Sequence, residues 1–410
     1  MSNSRAAGEA ESAYAWTRLG VALLLSTIGG VGMWSAVVAL PAIQAEFGVA
    51  RSDASLPYTL TMVGFGLGGI LMGRLSDRFG IIVPVVVGTV ALGLGYVLAS
   101  SAGSLWQFAL VQGVLIGFLG SSATFGPLLA DTSLWFNRRR GIAVAIIASG
   151  NYLAGAVWPP IVQHFIETTG WRQTHAGVGM FCLASMLPLA LVLRRRPPAI
   201  GHGPGSGRAG AWPQHPLGIS PGALQALLVV AALACCVAMA MPQVHIVAYC
   251  GDLGYGVARG AEMLSLMLGF GIVSRLGFGW ISDRIGGVRT LLLGSGLQGI
   301  ALLLFLPFDG LVSLYVISAL FGLFQGGIVP SYAIIVREYF SPREAGMRVG
   351  TVLMASLFGM ALGGWMSGVI FDLTGSYRAA FINGMAWNLL NLSIAVWLLL
   401  RGRGRQVAPA

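Results

Sequence analysis

Runs of about 20 consecutive apolar residues recur along the whole chain, and nothing else in it constrains the fold so tightly. Hydrocarbon offers no water to satisfy backbone N–H and C=O groups, so each run must be helical; alternating strands of about ten residues, which would close into a barrel, are not seen. The runs fall near 17–40, 56–76, 81–101, 105–130, 141–165 and 175–193, and again near 222–250, 259–281, 288–308, 311–337, 346–371 and 378–400. A Pro/Gly-rich connector separates the two sets. With 9% charged residues and a mean hydropathy of +0.80, the chain could not cover the surface of a soluble protein of 410 residues. The expected fold is therefore an all-α integral membrane protein of twelve transmembrane helices. Its expected parts are a tail (1–16), a first six-helix bundle (17–193), a linker (194–221), a second six-helix bundle (222–400) and a second tail (401–410).

The net charge of +10 would suggest nucleic acid in a soluble chain, but every basic residue is Arg and the arginines sit between the apolar runs. They report topology, and no nucleic-acid partner is expected; the partners are the lipid bilayer and a small solute. Placing both termini in the cytoplasm puts nineteen arginines inside and only Arg51, Arg172, Arg259 and Arg378 outside. The polar first 15 residues precede an apolar stretch too long for a signal-peptide core, so that stretch should remain as the first span. Basic residues that are all Arg suggest a GC-rich bacterial source and hence an inner-membrane location. Cys182, Cys235, Cys236 and Cys250 lack metal or redox spacing, and nucleotide loops, metalloprotease and hydrolase motifs are absent, so neither a cofactor nor an enzyme activity is implied.

The two sets of runs repeat one another. Gly73-Arg74-Leu75-Ser76-Asp77-Arg78-Phe79-Gly80 returns as Gly279-Trp280-Ile281-Ser282-Asp283-Arg284-Ile285-Gly286, offset by 206 residues. Gly170-Trp171-Arg172 returns as Ser376-Tyr377-Arg378 at the same offset, and Trp135-Phe136 as Tyr339-Phe340 at 204. Parallel repeats of this kind place a substrate site near the midplane in secondary transporters. The Gly-x-x-x-Asp-Arg-x-Gly turn after spans 2 and 8, in a 6+6 arrangement, resembles the major facilitator superfamily. Trp135 to Ala143, the Gly-Trp-Arg closing span 5 and Val244 to Tyr249 resemble its monocarboxylate transporter and oxalate–formate antiporter branch. The resemblance implies two pseudo-symmetric six-helix bundles and transport of small organic anions, chiefly monocarboxylates, by alternating access, with a proton as a possible co-substrate; a monomer is expected. An exporter of amphipathic drugs is the alternative.

The resemblance also implies a conformational latch at Gly73, Asp77 and Arg78 and at Gly279, Asp283 and Arg284, with Asp131 and Glu338 as partners; a static turn is the plainer reading. Arg275 lies inside span 8, where a guanidinium costs roughly 2.5–3.5 kcal/mol and usually faces a cavity or partner, and its paired donors match a carboxylate. The family's acid one turn earlier is Gly271 here, and span 11 carries no cation, which favours a monocarboxylate over a dianion and puts proton symport in doubt. His245 could supply a titratable group or merely bond a neighbour. Trp34, Gln112, Asn151, Tyr152, Gln243, Gln325, Tyr332 and Trp365 are candidates to line the cavity, though such residues also pack between helices. Gly64, Gly68, Gly69 and Gly73, and Gly359, Gly363, Gly364 and Gly368, are expected at close helix contacts.

Overall fold

A computed structural model describes residues 11–136, 139–195 and 218–406. Arg5, Arg138, Arg196, His202, Arg208 and His215 lie outside the described residues, as do most of the expected linker and the ends of both tails. Among the described residues, twelve helices are long and apolar enough to cross a membrane, and regular structure is otherwise confined to short turns. They are α1 (Ala13–Phe47), α2 (Arg51–Phe79), α3 (Ile82–Ser100), α4 (Leu105–Trp135), α5 (Gly141–Thr169), α6 (Trp171–Val192), α7 (Pro221–Asp252), α8 (Val257–Ile285), α9 (Gly287–Leu304), α10 (Leu311–Tyr339), α11 (Glu344–Thr374) and α12 (Tyr377–Arg401). Several outrun the apolar stretches by a turn or more, because a helix continues past the hydrocarbon wherever its backbone bonds are still satisfied within the segment.

The described residues form two compact units: residues 11–49 with 53–195, and residues 50–52 with 218–406. In the first unit α4 is not uniformly α-helical. Leu105–Val111 leads into a π-helical stretch, Gln112–Ser121, and the helix resumes at Gly126. The repeat-related α10 breaks at Gly326–Gly327, and α1 turns at Gly30. These breaks lie where helices pack closely. A Cβ on Gly29 would stand 2.5 Å from the Thr124 side chain, one on Gly30 2.5 Å from Ala154, and one on Gly326 2.5 Å from the Gly271 carbonyl oxygen.

The glycine faces expected from sequence divide in two. Gly64 and Gly68 press on the backbone of α4 at Gly113 and Phe118, while Gly359 and Gly363 press on α7 at Leu233 and Val237. Gly69 and Gly73 have nothing within 4 Å of an added Cβ and make no such contact. A helix turns about 100° per residue, so Gly69 cannot share the seam that Gly68 occupies.

Candidate functional site

Arg275 sits in the inner half of α8, half-buried, directly after Ser274. Gly271 and Ser274 form the seam where α8 meets α10: a Cβ on Gly326 would lie 2.9 Å from Ser274 Oγ. That hydroxyl is buried and has no hydrogen-bond partner among the described residues. One residue before Gly326, Gln325 turns toward α7 and accepts a 2.8 Å hydrogen bond at Oε1 from Gln243 Nε2. Both amides are buried, and Gln325 Nε2 is left without a partner among the described residues. The second unit thus carries, besides the half-buried Arg275, neutral donors that are already desolvated, and guanidinium and amide donors of this kind suit small anions.

In the first unit Trp34 is buried with its indole N–H unmatched, and Asn151 Oδ1 is likewise unmatched. Gln112 opens the π-helical stretch fully buried, with neither end of its amide bonded among the described residues; only its backbone carbonyl accepts, from Thr61 Oγ1 at 3.4 Å. Leaving a buried amide unmatched costs about 1–3 kcal/mol, and π-helical turns concentrate at functional sites. Tyr152 is buried beside Asn151, and Trp365 on α11 is 38% exposed.

Other expected site residues serve the bundle. Tyr332 is fully buried and donates to Asn391 Oδ1 on α12 at 2.8 Å, while Asn391 Nδ2 donates to Ser295 Oγ on α9 at 2.7 Å. Its hydroxyl is committed to a tie between helices. His245 is also fully buried. Its Nε2 lies 2.8 Å from the Gly364 carbonyl on α11, which requires Nε2–H as donor, and its Nδ1 lies 3.3 Å from the Tyr377 hydroxyl. Both ring nitrogens are thus engaged.

The repeated turns also differ from expectation. Asp77, Arg78, Asp283 and Arg284 are exposed, and Gly73 and Gly279 have open space around an added Cβ. Arg78 lies over the Phe79 ring at 5.1 Å and Arg284 over Trp280 at 3.4 Å. Asp131 does not meet Arg78. It accepts from Arg18 Nε and Nη2 on α1, at 3.1 and 2.8 Å, with both residues buried. Glu338 accepts the Gly287 N–H at 2.9 Å and so caps the N-terminus of α9, where a carboxylate is favoured by the helix dipole. Sequence reasoning counted Arg18 only as a topological charge; its partner, 113 residues on, carried no local signal.

Comparison with known proteins follows the same lines. The family model for the Major Facilitator Superfamily matches residues 22–313 and 276–410. The chain is 29% identical to monocarboxylate transporter 13 of Rattus norvegicus, over 84% of this chain and 78% of that protein, and 30% identical to monocarboxylate transporter 13 of Bos taurus, over 79% and 75%. It is 27% identical to the MFS transporter asaE of Aspergillus flavus, over 75% and 69%. Among solved structures, a mutant of the nucleoside transporter NupG superposes with a TM-score of 0.72 at 14% identity, covering 94% of this chain and 99% of that one. A bacterial homologue of the human lysosomal transporter Spinster, inward-facing and occupied, gives 0.69 at 17%, covering 95% and 97%.

Proposed function

We propose, from the premise that the chain belongs to the major facilitator superfamily, that it carries small organic anions, chiefly monocarboxylates, by alternating access, with Arg275 binding the carboxylate. The observation that carries this reading is a half-buried guanidinium in the interior of α8, next to the unmatched Ser274 hydroxyl. A guanidinium at that depth presents two parallel N–H donors to a carboxylate, and the neutral donors of Gln243 and Gln325 lie in the same unit. The names of the mammalian relatives support the same solute class.

With one such cation, the reading favours acids bearing a single carboxylate, and with Gly271 at the position one turn before Arg275 it favours exchange or uniport over tight proton coupling. The distribution of arginines supports cytoplasmic termini in a bacterial inner membrane. The test is uptake and counterflow in proteoliposomes with labelled acetate, lactate and pyruvate. Wild type should exchange at least one of them, and Arg275→Gln should lose it by tenfold or more, about 1.4 kcal/mol of recognition. Equal transport by the variant would remove Arg275 from the site. Thermal stabilisation by amphipathic cations but by none of the acids would point to a drug exporter instead.

A further inference from the structure

The flank of the first unit is not smooth where α5 meets α6. A groove of about 570 Å³, lined by residues of these two helices alone, runs between them, and ligand sites typically span about 300–1,000 Å³. Trp158 and Val162 form its floor and are buried, while Phe165 and Phe181 at its sides are each 49% exposed. The indole N–H of Trp158 donates to the Thr27 carbonyl at 2.8 Å, and its ring meets Phe181 edge-on at 5.7 Å. The floor is therefore fixed and offers no free donor. Gly177 keeps the groove open: it is exposed, and a Cβ there would have nothing within 4 Å.

Polarity is confined to one end of the groove, at the α5–α6 turn, where Thr169, Gln173 and Thr174 line it. The hydroxyls of Thr169 and Thr174 lie 3.5 Å apart and donate to the Phe165 and Gly170 carbonyls, each at 2.8 Å. Arg172 beside them is already held by Glu46, at 2.6 and 3.0 Å, and Glu167 accepts from Gln163 Nε2 at 3.0 Å, so these charges are engaged. From this end the groove follows the helices toward their middles. At 1.5 Å of rise per residue, Trp158 lies about 16 Å from Thr169 along α5, and Phe181 about 12 Å from Gln173 along α6. One leaflet of hydrocarbon is about 15 Å deep, half of the full core.

Length, dryness and a single polar end fit one class of molecule, an extended alkyl chain anchored at the membrane surface. Hydrocarbon supplies no hydrophobic drive between apolar surfaces, so van der Waals contact selects the occupant, and a concave wall touches a chain on more sides than a flat flank does. We propose that the α5–α6 groove seats one acyl chain of a phospholipid, with its ester end at Thr169 and Gln173 and its tail against Trp158 and Phe181. The groove is continuous with the exposed apolar flank of α6, where Met180 is 61% exposed, so the chain enters sideways from the surrounding bilayer. Because the charges at the mouth are engaged, the chain is read and the head group is not: zwitterionic and anionic phospholipids enter alike. The site belongs to the first unit alone and is the same whichever solute is carried.

Photolabelling of the full chain tests it, in nanodiscs of dioleoylphosphatidylcholine with a trace of phosphatidylcholine that carries a diazirine midway along one acyl chain. Peptide mapping should find at least about tenfold more label on residues 158–165 and 177–181 than on α4 around Leu110 and Val114, which are 55% and 51% exposed. Gly177→Leu fills the groove; its side chain starts in open space and leucine favours a helix over glycine, so the variant keeps the fold. It should bring groove labelling down to the α4 level. A phosphatidylglycerol probe should label the wild-type groove within about twofold of the phosphatidylcholine probe. Wild-type labelling no greater than on α4 would show boundary lipid only and overturn the proposal. So would unchanged groove labelling in Gly177→Leu, or a preference of about tenfold for phosphatidylglycerol. Cross-links between two copies through Phe165 or Phe181, without lipid label, would give the groove to a second copy of the chain instead.

Discussion

At the scale of single residues, buried polarity separates groups that hold the fold from groups held ready. Arg18 and Asp131 are both buried and bound to each other, with the guanidinium stacked 4.7 Å from the Trp135 ring centre. Removing one partner leaves an uncompensated charge in a dry place, so Asp131→Asn or Arg18→Gln is expected to lower stability by about 3–5 kcal/mol, while the joint replacement Arg18→Met with Asp131→Leu recovers most of it. Chemical denaturation of the purified variants measures both. Gln112 is the opposite case. Neither end of its amide is bonded among the described residues, so Gln112→Met should raise stability by about 1–3 kcal/mol. If that amide serves a solute, the same variant transports worse, a division between stability and activity that a merely structural glutamine would not produce.

At the scale of helices, α2 carries a direct comparison in two adjacent residues. Gly68 faces the Phe118 backbone, where an added methyl collides with a carbonyl oxygen that cannot step aside; Gly69 faces open space. Gly68→Ala should therefore cost about 1–3 kcal/mol by overpacking, and Gly69→Ala should gain about 0.5–1 kcal/mol from helix propensity. Thermal unfolding of the pair reads the difference in sign. The sequence carried the glycine face but not its seam, because a run of glycines one to four apart covers more of the helix surface than one neighbour can touch. It carried the existence of every span for a stronger reason: hydrocarbon leaves a run of about 20 apolar residues no alternative to a helix. The break at Gly326–Gly327 and the π-helical stretch from Gln112 were invisible in it, since both depend on which backbone approaches from the neighbouring helix.

At the scale of the whole chain, duplication supplied the scaffold twice, and later substitutions made the halves unequal. The motif turns and the Gly170-Trp171-Arg172 anchor have counterparts 206 residues on, which is why sequence could find them. What sequence could not pair were partners remote in the chain with no repeat to announce them: Arg18 with Asp131, and Tyr332 with Asn391. The same inequality sharpens the expectation for Arg275, whose repeat-related position in α2 is Gly69, facing open space. Anion recognition should then depend on this one side chain, and on its shape as well as its charge. A lysine at 275 keeps the charge but supplies a point donor in place of a planar fork. Arg275→Lys is therefore expected to retain transport with KM raised about tenfold, the loss of one charge-assisted hydrogen bond, while Arg275→Gln loses recognition altogether. Initial-rate uptake over a range of acid concentrations separates these outcomes: a lysine variant matching wild type would show that charge alone is read, and one as inactive as the glutamine variant would show that the fork geometry is indispensable.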